Sequence, residues 1–241
     1  MKPLICLPTF NEIENIEKII FAILSCSESY QVLVIDDSSP DGTGELVEKL
    51  KSENSAISSR VHLLKREIKN GRGGAVWDGI QYGIDSLQVD CFVEMDCDFS
   101  HDPKYILDGL NLLNQGYDSA IASRYPSGSV TGWPLSRRIL SYMANQLIRN
   151  LLSRKYHDYT NGMRFYNLNT AQIILDEGIK YPGYINLSET LSILIKKKIK
   201  IGTFDMVFIN RTEGSSSLNL KELINAFFSI IKIAVAFRCK E

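Results

Sequence analysis

Three carboxylates crowd the stretch CFVEMDCDFSHDP at residues 91–103: Asp96, Asp98 and Asp102 fall within seven positions, directly after an apolar run. Like charges this close repel, and aspartate is poor in a strand interior. The cluster is therefore held either by full solvation or by a cation. Asp-x-Asp at a strand end lets two side chains project the same way as the strand terminates. Hard divalent cations such as Mg²⁺ or Mn²⁺ take carboxylate oxygens and share their remaining positions with phosphates and water. Asp96 and Asp98 are thus candidate metal ligands, and a metal on a diphosphate would neutralise charge developing on a leaving group. A second pair, Asp36 and Asp37, ends the apolar run in VLVIDDSSPDGT, where a carboxylate can accept hydrogen bonds from a nucleoside. Ser39-Pro40-Asp41-Gly42 in the same stretch is a turn signal. Candidate anion receptors come later in the chain, beside turns built by Gly and Pro: Arg124, Arg137, Arg138, Arg164 and Arg211. Arginine is suited to bidentate phosphate contacts.

The elements that must position these groups read as βαβ units. Apolar runs at 4–8, 31–37, 61–67 and 90–98 are expected strands. Between them lie a helix over 11–24 with Ile13, Ile16, Ile19, Ile20 and Ile23 on one face, a turn and helix over 39–53, and a glycine-rich entry into a helix over 71–85. Continuous apolar strands separated by helices predict a mostly parallel sheet covered on both faces. In such sheets ligands bind beyond the carboxyl ends of the strands, where Pro8-Thr9, Asp36-Asp37 and Asp96–Asp102 all fall. No G-x-G-x-x-G follows the first strand, and GRGGA at 71–75 lacks the Gly-Lys-Ser/Thr of a P-loop. Farther on, a helix is expected at 136–152, a strand or hairpin at 199–210 and a long apolar helix at 218–238. No linker divides the chain. The expectation is one α/β domain over 1–241, with 1–123 as a donor and metal half and 124–241 as an acceptor half.

Charge is divided along the chain. Residues 1–130 carry 11 Lys and Arg against 20 Asp and Glu; residues 131–241 carry 16 against 8. One half suits a cation and the other an anion, which fits a site that handles phosphates through a metal. Five cysteines without a C-x-x-C pair read as reduced thiols, not as a disulfide framework or zinc site. No signal peptide or membrane span is expected. LINAFFSIIKIAVAFR at 223–238 would form a helix about 24 Å long, short of the roughly 30 Å bilayer core. It either packs on the domain or lies at an interface, and LIKKKIK at 194–200 either is solvated or meets anionic headgroups.

The motifs LPTFNEIENI, VLVIDDSSPDGT, GRGGAVWDG, VEMDCDFSHDP, ASRYPSGSVTGWPLSRRILS, DYTNGMRFY, GYINLSE and FINRTEGSSSL occur in this order over residues 4 to about 218. In them the chain resembles the family 2 glycosyltransferases of GT-A (Rossmann-like) fold, most of all the dolichyl- and polyprenyl-phosphate mannosyltransferases. The resemblance implies transfer of mannose from GDP-mannose to a polyprenyl phosphate with inversion, and it implies Mg²⁺ or Mn²⁺. It implies that Pro8, Phe10, Glu12, Ile35 and Asp37 line the nucleotide pocket, that Asp96 and Cys97 touch the sugar nucleotide, and that Asp98 is the principal metal ligand. It places Arg124, Arg137 or Arg138, Ser141 and Arg211 on the acceptor phosphate, with Asp98, Arg124 and Arg211 as the catalytic set. Three positions depart from the family pattern: Phe10 stands where Tyr is usual, TNGM replaces Ser-Gly-Phe, and Ser217 stands where a phosphate-facing lysine is usual. A membrane surface or a small membrane subunit is the expected partner, with the enzyme peripheral at the cytoplasmic face and no nucleic acid bound.

A phosphate acceptor is already ionised at neutral pH, so attack needs no strong general base; positioning and metal stabilisation suffice. A relative acting on a neutral hydroxyl would need a base, for which Glu189 is the candidate. A protein that binds a nucleotide sugar without turnover is the non-enzymatic rival.

Overall fold

The computed structural model describes residues 1–67, 71–181, 183, 185–210, 229–235 and 237. The chain opens with β1 (Pro3–Thr9), α1 (Ile16–Cys26), β2 (Gln31–Asp36), α2 (Thr43–Glu53), α3 (Ser55–Ser58), β3 (Val61–Lys65), α4 (Arg72–Ser86) and β4 (Cys91–Glu94). A 3₁₀ turn at Pro103–Tyr105 leads into α5 (Ile106–Asn114), β5 (Ser119–Ser123), β6 (Ser129–Thr131) and α6 (Leu135–Leu151). Then come β7 (Arg164–Asn167), α7 (Leu168–Glu177), α8 (Asn186–Lys196), β8 (Ile201–Asp205) and β9 (Val207–Ile209).

Seven strands form one sheet in the order β3-β2-β1-β4-β7-β5-β8. All neighbours pair in parallel except β7, which runs antiparallel to both β4 and β5. The strands carry alternating layers to the two faces. Ile5, Leu7, Val32, Val34 and Val93 join Ile16, Ile19, Ile20 and Ile23 of α1 on one side. Leu4, Cys6, Leu33, Ile35 and Phe92 join Ala75, Val76 and Ile80 of α4 on the other. Each fully buried aliphatic side chain contributes roughly 1.5–3 kcal/mol. Helix α4 sits close because it carries glycine where the sheet is tallest: a Cβ on Gly79 would overlap Ile35 Cδ1.

Three expectations are corrected. Helix α1 begins at Ile16, not near residue 11, and Ile13 is 41% exposed. The reason lies in the neighbouring turn, whose side chains hold this backbone outside the helix. Ser39 Oγ accepts from Asn11 N (2.9 Å), Thr43 Oγ1 from Glu12 N (3.0 Å) and Asp41 Oδ2 from Ile13 N (3.1 Å). Burial pushes the Asp41 carboxyl up, but hydrogen bonds from Thr43 and backbone amides outweigh it and hold the group below its usual range. Second, residues 199–210 form no hairpin. Strand β8 pairs with β5, whereas β9 pairs with β6 in a separate two-stranded sheet. Third, β4 ends at Glu94, so Asp96 and Asp98 lie in the loop beyond the strand.

Most of the expected C-terminal helix lies outside the described residues. Residues 229–235 are helical, with Ile230, Ile233 and Ala234 buried and Ile231 and Val235 exposed. Among the described residues no helix is long and apolar enough to cross a membrane.

Candidate active site

A cavity of about 260 Å³ opens at the carboxyl ends of β4 and β5, under α6. Asp96, Asp98, Arg72, His101, Arg124 and Arg137 supply its charged lining. One face of α6 contributes Arg137, Ser141, Leu140, Ala144 and Ile148, spaced at three and four residues as a single helical stripe requires. Along that stripe the wall passes from cationic to aliphatic over about 16 Å, and Ile185, Leu187 and Ile230 extend the aliphatic part.

The floor is a set of neutralised charges. Arg72, at the start of α4, donates Nε to Asp96 Oδ1 at 2.7 Å, donates Nη1 to Glu94, and reaches the Gly162 carbonyl at 3.2 Å. Glu94 is buried and also accepts from Tyr166 Oη at 2.9 Å. His101 Nδ1 accepts from Asp96 N at 3.0 Å, which makes Nε2 the donor to Asn161 Oδ1 at 3.0 Å. Burial is the main cause that pulls the His101 pKa down, and nearby Arg72 adds to it against the opposing pull of Asp96. The ring is accordingly a neutral strut between the Asp96 and Asn161 loops.

The two carboxylates of the Asp-x-Asp triplet are unequal. Asp96 is engaged by Arg72. Asp98 accepts from Ser100 N at 3.0 Å and lines the cavity, where Ser100 Oγ is buried without a hydrogen-bond partner among the described residues. Among those residues no cluster of three or more His, Cys, Asp or Glu could hold a metal by itself. Mg²⁺ and Mn²⁺ do not need one: they are commonly held by one or two carboxylates with phosphate and water completing the shell. Asp98, with the orphaned hydroxyl of Ser100 beside it, fits that donor set.

The arginines separate into three kinds. Arg124 is buried and forked onto Asp158, with Nε and Nη2 both at 2.7 Å, and Nη2 also donates to Thr160 Oγ1 at 2.6 Å. Burial raises the Asp158 pKa, but the Arg124 charge and the hydrogen bonds outweigh it and hold the carboxyl low. Asp158 and Thr160 thus engage Nε and Nη2 of the Arg124 fork. Arg137 lines the cavity, donates to Asn210 Oδ1 at 3.3 Å and lies over the Trp133 ring at 4.2 Å. Arg138 is exposed and does not line the cavity. Ser141 does, and it takes a hydrogen bond from Tyr125 Oη at 3.0 Å.

Arg164 corrects an expectation. It is fully buried opposite Glu94 in the β4–β7 ladder and donates to the carbonyls of Tyr159, Asn161 and Leu187, so its guanidinium is structural. Glu189 is likewise committed, accepting from Lys180 N and Tyr181 N at 3.1 Å each, and it does not line the cavity.

The nucleotide candidates lie at the carboxyl ends of β1 and β2. Phe10 is exposed at the end of β1, and Pro8 is half-buried with its carbonyl 4.0 Å from Cys97 Sγ. Glu12 accepts from Asn15 Nδ2 at 2.8 Å. Asp37 pairs with buried Arg66, which also reaches Asp78 at 2.7 Å. The Ile35 side chain is fully buried in the core against Gly79 and is not part of the lining of the cavity described above. Cys97 is buried, and desolvation pushes its thiol well up, so it stays protonated. Arg211 and Ser217 lie outside the described residues.

The family model for glycosyl transferase family 2 matches residues 4–172. The chain belongs to glycosyl transferase family 2. Polyprenol monophosphomannose synthase of Mycolicibacterium smegmatis is 32% identical over 98% of this chain and 88% of its own length. Undecaprenyl-phosphate mannosyltransferase of Micrococcus luteus is 31% identical over 91% and 88%. In fold, this family 2 chain resembles glucosyl-3-phosphoglycerate synthase from Mycobacterium tuberculosis, crystallised with Mn²⁺, UDP and phosphoglyceric acid. The TM-score is 0.70 at 18% identity, over 98% of this chain and 78% of the other. The chain is thus a glycosyltransferase with a GT-A-like, mostly parallel sheet flanked by helices.

Proposed function

We propose that this glycosyltransferase moves a mannosyl group from GDP-mannose to a polyprenyl phosphate with inversion. The observation that carries the reading is a single cavity holding Asp98, Arg124, Arg137 and Ser141 beside an aliphatic wall along α6. A lipid phosphate has that same division between a dianionic head and a hydrocarbon chain. The two mannosyltransferase relatives, named for polyprenol and undecaprenyl phosphate, support the acceptor class.

Bound with the donor at Asp98 and Ser100, Mg²⁺ or Mn²⁺ would supply charge stabilisation to the departing diphosphate. The residues of the chain do the rest. Arg137, Ser141 and the remaining donors of Arg124 hold the acceptor phosphate, joined in this reading by Arg211. The phosphate oxygen attacks the anomeric carbon as the bond to the diphosphate oxygen breaks. That oxygen is ionised already, so no protein base is required, consistent with Glu189 being tied to backbone amides. Pro8, Phe10, Glu12 and Asp37 would bound the nucleotide, and Asp96, aligned by Arg72 and His101, would meet the sugar.

The outer side of α6 exposes Leu135, Ile139, Tyr142 and Met143, with Leu135 70% and Met143 63% exposed. Such a face suits a peripheral position at a membrane, on the cytoplasmic side in our reading, with or without a small membrane subunit. The test combines the protein, a short polyprenyl phosphate, Mg²⁺ or Mn²⁺ and labelled nucleotide sugars, with label counted in organic solvent. Transfer from GDP-mannose that disappears on adding a chelator is expected. Binding of GDP-mannose without transfer to any acceptor would overturn the reading in favour of a nucleotide-sugar-binding protein.

A further inference from the structure

Trp133 stands between two cations. Its ring centroid lies 4.2 Å from the Arg137 guanidinium carbon and 5.6 Å from that of Arg124, and its edge meets Phe208 at 5.3 Å. Buried indole N–H groups usually find an acceptor, yet Nε1 of Trp133 is buried without one among the described residues. What fixes the ring is therefore its faces and edge, not its polar handle. The backbone around it is held firmly. Gly132 adopts a left-handed φ of 80°, Asn210 N donates to Thr131 O at 2.9 Å, and Asn210 Nδ2 donates to Gly132 O at 3.3 Å. The same Asn210 takes the hydrogen bond from Arg137.

Two guanidiniums aimed into one cavity repel each other, and each long side chain loses several rotors when it is fixed. An aromatic face offers both of them a partner that carries no negative charge and so does not compete with an anionic ligand. We propose that Trp133 is a positioning residue for the acceptor phosphate, holding Arg124 and Arg137 so that both address one anion. This rests on the reading that the cavity takes a phosphate.

The test compares Trp133→Leu and Trp133→Phe, each with and without Arg137→Ala. Trp133→Leu is expected to raise the KM for a short polyprenyl phosphate about tenfold, a fold-change of the size one cation–π contact supplies. The KM for the nucleotide sugar and kcat should stay within about twofold, and Trp133→Phe should restore most of the loss. In the Arg137→Ala background the same change should cost less than about threefold, because part of what it acts through is gone. Equal losses in both backgrounds, or a fall in kcat with both KM values unchanged, would overturn the proposal.

A binding measurement separates this from the wider reading. The chain has two tryptophans, so Trp77→Phe leaves Trp133 as the only tryptophan emitter, read with excitation beyond the tyrosine absorption band. Saturable change in its emission with farnesyl phosphate, abolished by Arg137→Ala, is expected even if turnover is never seen. If the wild type transfers to no polyprenyl phosphate while this signal persists, the proposed transfer reaction fails and the positioning role toward a bound phosphate stands. If transfer occurs and Trp133→Leu leaves the acceptor KM unchanged, the positioning role fails alone.

Discussion

The floor and the rim of the cavity use the same residue types to opposite ends. On the floor, Arg72 is spent on Glu94, Asp96 and Gly162, and Arg124 on Asp158 and Thr160, with Glu94, Arg124 and Asp158 buried. On the rim, Arg137 leans on an aromatic ring and an amide, on a helix whose outward side is largely exposed. A buried charge must be matched wherever the fold puts it, because an unmatched one costs several kcal/mol. A charge at the rim can keep bonding capacity for a ligand. In the proposed reading Arg72 is wholly committed to building the site, Arg124 divides its fork between Asp158 and the ligand, and Arg137 at the rim receives it.

Substitutions should break that contrast in order of size. Asp98→Ala removes the one triplet carboxylate that Arg72 does not hold, and transfer should fall by about 100- to 1,000-fold with folding intact. Label in organic solvent and a thermal melt measure the two quantities side by side. Asp158→Asn leaves Arg124 buried without its counter-charge and should cost about 3–5 kcal/mol of stability, read from urea midpoints. Its pH dependence has a defined sign. The native carboxyl titrates below its ordinary value of 3.8. The wild type should thus hold the pair's contribution above that value and lose it as pH falls through the native pKa. The Asn variant should lack this acid limb.

On the rim, Leu135→Ser with Ile139→Ser and Met143→Ser should weaken sedimentation with anionic lipid vesicles about tenfold. Transfer to a short, soluble acceptor should be unchanged; a parallel loss there would show the face to be part of the packed domain. The smallest effect belongs to Glu189→Gln. It should leave kcat within about twofold while costing about 1 kcal/mol of stability through its weakened backbone bonds. A loss of kcat by two orders of magnitude would instead restore a base-dependent reaction on a hydroxyl.

What the sequence disclosed follows the range of the forces involved. Strands β1, β2 and β4 are apolar runs, and β2 and β4 lead into carboxylates, so the sheet and the loop that carries Asp98 were legible locally, though not where β4 stops. Arg137 could be placed to within one residue, because helical phase alone distinguishes it from exposed Arg138. Strand β7 was not expected: RFYN is four residues long and pairs with β4 across some seventy positions. Asp158 and Arg124 are 34 residues apart, and no periodicity links them. Arg72 sat in the glycine-rich stretch in plain view, but its role depends on Glu94 and Asp96 arriving from another strand. At Ile35 strand alternation decides: the residue just before the Asp36-Asp37 strand end turns its side chain inward to the core.

The reversed strand has one more consequence. The Asp98 loop hangs from β4 and the Arg124 loop from β5, and β7 lies between those two strands. Two inter-strand steps set their separation at roughly 10 Å, a gap wide enough for a hexose with an attacking oxygen at its far side. That interval is written into main-chain hydrogen bonds, not into any side chain. In the proposed reading point substitution can retune which sugar or which anion fills the gap, but lengthening or shortening it would require the sheet to lose or gain a strand. The molecule thus carries a ruler of fixed length with interchangeable ends.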